Sequence, residues 1–110
     1  MSNQDNLNIS VTFRHTESTP ALKSHAVEKV GHCVGKYISN SADIHVILSV
    51  EKRDHVAEVK VKSKEYDVTA KAVTEDLYSS VDKVIDNIEA QIRKQKDKIK
   101  SHKHSPEQAL

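Results

Sequence analysis

Two hydrophobic periods divide this chain. Leu7, Ile9, Val11 and Phe13 alternate with Asn8, Ser10, Thr12 and Arg14, a repeat of two that predicts a half-buried strand. Thr19-Pro20 then supplies an N-cap and a proline at the first helical position, where its missing N–H costs nothing. Over 20–38, Leu22, Ala26, Val30, Cys33 and Tyr37 recur at steps of four and three, and Val27, Val34 and Ile38 widen the stripe. That spacing predicts an amphipathic helix, which Gly31 and Gly35 weaken by about 1 kcal/mol each relative to Ala. Ser39-Asn40-Ser41 ends it.

The period of two then returns three times. Ile44, Val46, Leu48 and Val50 form one apolar row, Ala57, Val59 and Val61 the next, and Tyr66, Val68, Ala70 and Ala72 the last. Lys52-Arg53-Asp54-His55 has the length of a hairpin loop, and Ser63-Lys64-Glu65 makes the second turn. Thr74 is the expected cap of a final helix over 75–100, with Glu75 and Asp76 in a first turn where the dipole favours acids. Leu77, Val81, Val84, Ile85, Ile88 and Ile92 give that helix its stripe.

The order is β-α-β-β-β-α. Strands with one apolar face and helices with one apolar stripe assemble most simply as an α+β domain, a four-stranded sheet with both helices packed on one face. The first two strands are then parallel through a right-handed crossover and the other pairs antiparallel. The domain is expected over 7–100, with disordered ends at 1–6 and 101–110.

Charge changes the picture at the final helix. From Arg93 to Lys103 it holds six positive residues and one negative, a net of +5 in eleven residues, whereas the whole chain nets +1. A helix over 75–100 is about 39 Å long and an eight-residue strand about 27 Å, so the helix should overhang the sheet by around 10 Å. Gln95 falls where the apolar stripe would continue, and only Ile99 returns to it. The basic segment is therefore the part expected to be least buried.

Composition narrows the chemistry. A 110-residue chain that is 36% hydrophobic and 30% charged is one small domain with a modest core. The single cysteine, Cys33, forbids an internal disulfide, which suits a reducing cytoplasm. Met1 to Leu7 lacks the apolar stretch of a signal peptide, and no run reaches the ~18 apolar residues of a membrane span. The seven histidines and one cysteine show no zinc-ligand spacing. With two glycines in all there is no phosphate-binding or dinucleotide loop, and no nucleophile motif occurs, so neither cofactor nor catalysis is expected. Cys33 reads as a small core residue, and Asp76, Asp82, Asp86 and Glu89 as a solvated helix face.

A polyanion is the partner this pattern suits. Arg93, Lys94, Lys96, Lys98 and Lys100 fan over the non-apolar surface of the last helix, while Lys29 and Lys36 share one edge of the first with His25 and His32. Lys52, Arg53 and His55 add a basic hairpin. Side-by-side helices would merge these into one broad positive face that neutralises phosphates. Lys-rich helix ends also serve solubility and the helix dipole, so charge alone leaves both explanations open. The open sheet face would carry Asn8, Ser10, Thr12, His45, Ser49, Glu58, Lys60, Thr69 and Lys71, with no Phe, Tyr or Trp on which bases could stack. Recognition of RNA backbone and shape through helices and loops fits better.

Particular residues sharpen this. Arg14 to Leu22 (RHTESTPAL) resembles the RHxExTxAL opening of the ribosome hibernation promoting factors, also called the ribosome-associated inhibitor or Y-protein family. Lys36-Tyr37 looks like that family's KY, and Val46 to Lys52 with His55 and Ala57-Glu58 is similar to its VxLxVEK…H…AE hairpin. Glu75 to Asp82 resembles EDMYAAID, and Gln91 to Lys100 resembles QLxKxKDKLK. The likeness runs from Leu7 to Lys100. It implies a fold akin to a double-stranded-RNA-binding domain, no catalysis, and binding to the small ribosomal subunit of the whole ribosome. There the family lies against rRNA in the decoding region and blocks mRNA and tRNA sites in stationary phase or stress. Carried over by position, the implied rRNA contacts are Lys23, Lys29 and Lys36, then Lys52 and His55, then Lys83, Arg93, Lys94, Lys96, Lys98 and Lys100. The chain departs from the family at Ser63-Lys64-Glu65, where a Gly pair is common. It also carries no acidic tail and no C-terminal dimerisation domain, which implies the short form, monomeric when free. Two other readings stay open: a general binder of structured RNA, and a protein-interaction module of the sigma-factor-modulating kind.

Overall fold

Four period-two segments pair into one sheet, and two helical segments lie across it. The computed structural model describes residues 7–38 and 41–103, with side chains through Asp97. It contains β1 (Leu7–Arg14), α1 (Pro20–Gly35), β2 (Ala42–Glu51), β3 (Asp54–Ser63), β4 (Asp67–Thr74) and α2 (Leu77–Lys103). The sheet order is β1-β2-β3-β4, with β1 parallel to β2 and the other two pairs antiparallel. This is the α+β arrangement that the alternation predicted.

Register converts the sequence pattern into layers of core. Phe13, Leu48, Ala57 and Ala72 stand in one row across the four strands, Val11, Val46, Val59 and Ala70 in the next, and Ile9, Ile44, Val61 and Val68 in a third. Leu22, Ala26, Val30, Cys33 and Val34 of α1 and Leu77, Val81, Val84, Ile85, Ile88 and Ile92 of α2 bury against these rows. Each such Val, Leu or Ile contributes roughly 1.5–3 kcal/mol of hydrophobic stabilisation. The apolar β1 side chains are only half-buried, whereas the core-facing ones of β4, the other outer strand, are buried beneath α2.

Element ends differ from the sequence expectation in physically informative ways. Helix α1 stops at Gly35 rather than Ile38, and the chain turns through Lys36 while Ile38 N–H still donates to Val34 O at 2.9 Å. The β2–β3 loop is two residues, Lys52 and Arg53, instead of four. Ladder pairing of Glu51 with Asp54 closes it that tightly, with Lys52 in the left-handed region at φ 58°. The cap of α2 is Asp76, not Thr74: the Asp76 carboxylate accepts from Ser79 N at 2.9 Å and from Ser79 Oγ at 2.7 Å. Thr74 instead closes the preceding turn by accepting from Asp76 N at 3.2 Å. The turn after β3 is held by Ser63, whose Oγ accepts from Tyr66 N at 3.0 Å. At the far end α2 continues to Lys103, three residues beyond the boundary expected at 100. Of the expected disordered ends 1–6 and 101–110, residues 101–103 belong to α2, while 1–6 and 104–110, with Ser39 and Asn40 of the helix stop, lie outside the described residues.

Hydrogen bonds at both ends of the sheet fix α2 in place. Ser80, the one buried polar residue among those described, donates from Oγ to His55 O, tying the β2–β3 hairpin to the first turns of the helix. Further along, Gln91 Nε2 donates to Thr69 O at 2.8 Å and Gln95 Nε2 to Asp67 O at 3.1 Å. These amides satisfy main-chain groups of β4, an outer strand that would otherwise offer them to another chain.

Ser80→Ala removes the buried hydroxyl that donates to the part-buried His55 carbonyl and should cost about 0.5–1.5 kcal/mol in urea unfolding. Burial also pushes the Cys33 thiol up to about 11. Only about a thousandth of it is thiolate at pH 8, so an Ellman-type reagent should label Cys33 slowly in the native protein and rapidly in denaturant. The Ser79 N–H and hydroxyl hold the Asp76 carboxyl below the usual carboxylate range. A lowered folded value means that this stabilisation is present above the ordinary carboxylate pKa and is lost as pH falls through the folded one. The stability gap between wild type and Asp76→Ala should therefore narrow on acidification, as read by unfolding midpoints across the acid range.

Candidate nucleic-acid interface

Helices α1 and α2 lie side by side and run in the same direction, as their cross-contacts show. Near their N-terminal ends His25 Nε2 lies 3.0 Å from Asp82 Oδ1, and the His25 ring meets Tyr78 edge-on at 5.0 Å. Toward their C-terminal ends Glu89 Oε2 accepts from Tyr37 OH at 2.7 Å and from Lys36 Nζ at 3.1 Å. Arg93 Nε donates to Tyr37 OH at 3.0 Å, and its guanidinium lies 3.6 Å from the same carboxylate oxygen. Lys96 Nζ completes the group at 5.9 Å from the centre of the Tyr37 ring, with Lys36 Nζ at 5.8 Å. The Tyr37 hydroxyl and then the Lys36 ammonium hold the Glu89 carboxyl below the usual range. Lys36 is raised in turn by its hydrogen bond to Glu89, and Arg93 by its bond to Tyr37.

The candidate residues fall into three sets. Lys36, Arg93 and Lys96 converge on the α1–α2 seam, with Lys29 one heptad before Lys36 on the same edge of α1. Lys83 and Lys94 are eleven residues apart, about three turns, and so share the outward face of α2. Lys52 and His55 sit at the hairpin, beside the N-terminal end of α2 through the Ser80 contact. From Ser80 to Arg93 is thirteen residues, so the hairpin and the basic end are about 20 Å apart. The hairpin cations and the seam cations therefore stand toward opposite ends of the paired helices. Lys23 is six residues from Lys29, which turns it to the opposite flank of α1. The side chains of Lys98 and Lys100 lie outside the described ones, although α2 carries their backbone. Among the described residues, Lys23, Lys29, Lys52, Lys83 and Lys94 are exposed and make no ion pair.

Gln95 marks where α2 leaves the sheet, since it bonds to Asp67, the first residue of β4. The eight residues beyond it, to Lys103, extend about 12 Å, in keeping with the overhang expected from element lengths. The open sheet face is largely polar apart from Ile47, Val56 and Val73, and it is cross-linked, with Asn8 Nδ2 donating to Asp43 Oδ1 at 3.2 Å and Ser10 Oγ 2.8 Å from His45 Nδ1. Among the described residues it presents no Phe, Tyr or Trp.

Tyr37 and Glu89 are the residues that sequence reasoning missed as parts of this surface. Tyr37 fell on the apolar stripe of the first helix and Glu89 among solvated acids. Three of the four acids are in fact committed: Asp76 caps α2, Asp82 meets His25 and Glu89 gathers the seam. Fifty-two residues separate Tyr37 from Glu89, and only the parallel packing of two helices joins them.

Comparison with known proteins agrees with this architecture. Residues 9–100 match the family described as Sigma 54 modulation protein / S30EA ribosomal protein. The ribosome hibernation promoting factor of Escherichia coli K12 is 28% identical over 96 residues, covering 87% of this chain and 100% of the relative. That of Pseudomonas putida KT2440 is 27% identical over 95 residues, covering 86% and 92%. Among solved structures, a ribosomal subunit interface protein from Coxiella burnetii superposes with TM-score 0.73 at 26% identity, covering 82% of this chain and 98% of that one. The N-terminal domain of Thermus thermophilus Protein Y gives 0.72 at 25% identity, with 79% and 97% covered. Its fold, and a match spanning nearly its whole length, make this chain a member of the Sigma 54 modulation protein / S30EA ribosomal protein family.

Proposed function

We propose that this protein is a ribosome hibernation factor. It binds the small ribosomal subunit in the decoding region, against the rRNA, and stops translation by occupying the mRNA path and the tRNA sites in stationary phase or stress. The observation that carries this reading is the departure of α2 from the sheet at Gln95, with Arg93, Lys94 and Lys96 around the point of departure. A helix end that overhangs its own core can enter a cleft that the rest of the domain cannot. Relatives named ribosome hibernation promoting factor, and a structural neighbour titled a ribosomal subunit interface protein, support the ribosome as the target.

The chemistry is charge neutralisation and steric occlusion, which need no catalytic group or cofactor. Lysine and arginine displace counterions from phosphates, so binding is strong at low salt and falls steeply as salt rises. Backbone contacts fix position without reading sequence, in keeping with a sheet face that offers no stacking platform. The proposed contacts are Lys29, Lys36, Arg93 and Lys96 along the seam, Lys83 and Lys94 on the outward face of α2, Lys52 with His55 at the hairpin, and Lys98 and Lys100 farther along the α2 sequence. Lys23 would touch a separate RNA segment on the other flank of α1. The protein acts as a monomer in the cytoplasm, where ribosomes are.

Wild-type protein should co-sediment with purified small subunits and with whole ribosomes, and generic duplex RNA should compete poorly. Reversing Lys94, Lys96 and Lys98 to Glu should weaken binding on the order of a hundredfold or more. It should also flatten the logarithmic salt dependence, by roughly 0.7–0.9 for each phosphate that the variant no longer neutralises. Full-strength binding by that triple variant would refute the basic-arm mechanism, and equal competition by generic duplex RNA would favour a general structured-RNA binder.

A further inference from the structure

A carboxylate at the centre of a phosphate-binding surface is a paradox on charge alone. Glu89 Oε2 takes up three partners at once, Tyr37 OH at 2.7 Å, Lys36 Nζ at 3.1 Å and the Arg93 guanidinium at 3.6 Å. It subtracts one unit from a cluster whose other charged members, Lys36, Arg93 and Lys96, are all positive. By net charge alone, a polyanion would bind a site without it more tightly. Yet Glu89 is not a loosely solvated acid, since only 23% of its side chain is accessible.

Geometry gives the carboxylate another use. Lysine and arginine are long and mobile, and fixing them at the moment of binding opposes affinity. Here the fixing is done beforehand. Glu89 holds Lys36 directly and holds Tyr37, which holds Arg93 Nε at 3.0 Å. The Tyr37 ring has Lys36 Nζ and Lys96 Nζ at nearly equal distances, 5.8 and 5.9 Å. Tyr37 thereby gathers three cations drawn from both helices. A hydrogen-bonded aromatic hydroxyl between two charged groups sets spacing and direction as a bare charge cluster does not.

We infer that Glu89, acting through Tyr37, is a positioning residue that pre-sets Lys36, Arg93 and Lys96 as a three-cation phosphate clamp. It lowers affinity for polyanions in general and raises selectivity for one arrangement of RNA phosphates. This rests on the reading that the seam meets rRNA.

The test measures binding of Glu89→Gln and Tyr37→Phe to purified small subunits and to a generic RNA duplex, with circular dichroism to check folding. Glu89→Gln keeps the shape and removes one negative charge. It should bind duplex about two- to threefold more tightly and small subunits about five- to tenfold more weakly. Tyr37→Phe leaves the charge unchanged, so it should bind duplex as wild type does and small subunits more weakly. Parallel loss on both RNAs would mean a merely structural role, and parallel gain would mean that Glu89 only opposes binding; either overturns the inference. Nitrogen-15 spectra of the Arg93 Nε–H give a readout free of RNA: a restrained signal in wild type, averaged in Glu89→Gln, is expected. An averaged wild-type signal would exclude pre-setting. If wild type binds no subunit while the Arg93 signal behaves as expected, the hibernation reading fails and the pre-set clamp stands.

Discussion

Everything functional here depends on where the apolar stripe of α2 stops. Val81, Val84, Ile85, Ile88 and Ile92 bury completely or nearly so on β3 and β4, and that burial fixes the helix in rotation and in position along the sheet. Once it is fixed, the remaining faces have no freedom. Glu89 and Arg93 must meet α1, Lys83 and Lys94 must point outward, and Gln91 and Gln95 must reach the β4 margin. A shift of one residue would rotate each group by about 100° and dissolve all three arrangements together.

The same packing explains why both helices share a direction. A parallel crossover from β1 to β2 returns α1 along the sheet, and α2 returns along it from the end of β4. Both therefore begin at the hairpin end and finish at the opposite one. The C-terminal end of α1, where the backbone dipole favours cations, lies beside Glu89 and Arg93 of α2, whose own end runs on past the sheet. Lys36 and Arg93 gather there with support from two helices at once.

Much of this was legible in the chain because periodicity is a local property. Alternation at Leu7 to Phe13 and at Ile44 to Val50 is decided by neighbours two residues away, and the α2 stripe by neighbours three and four away. The net +5 at the end of α2 was equally local, and simple element lengths turned it into an overhang. Boundaries were harder. Asp76 rather than Thr74 caps α2 because the choice depends on which oxygen the fold aims at Ser79 N, and both residues are capable caps. The hairpin closed to two residues because Glu51–Asp54 pairing outweighed the left-handed conformation imposed on Lys52. The Tyr37–Glu89–Arg93 group was invisible, since nothing local to Tyr37 distinguishes a core aromatic from one whose hydroxyl ends at an interhelical carboxylate. The cations of the seam could be named from the sequence; their geometry could not.

The glutamines at the β4 margin carry one more consequence. Outer strands are often guarded by lysines, whose charge repels an incoming strand. This chain guards β4 with neutral amides that occupy the hydrogen-bonding positions themselves. Protection by occupancy leaves no electrostatic trace. The long-range field of the molecule is then shaped less by its sheet margin than by its helices, and an approaching polyanion is drawn toward one end. A protein of nearly zero net charge can in this way behave as a strongly polar particle, oriented before it touches anything.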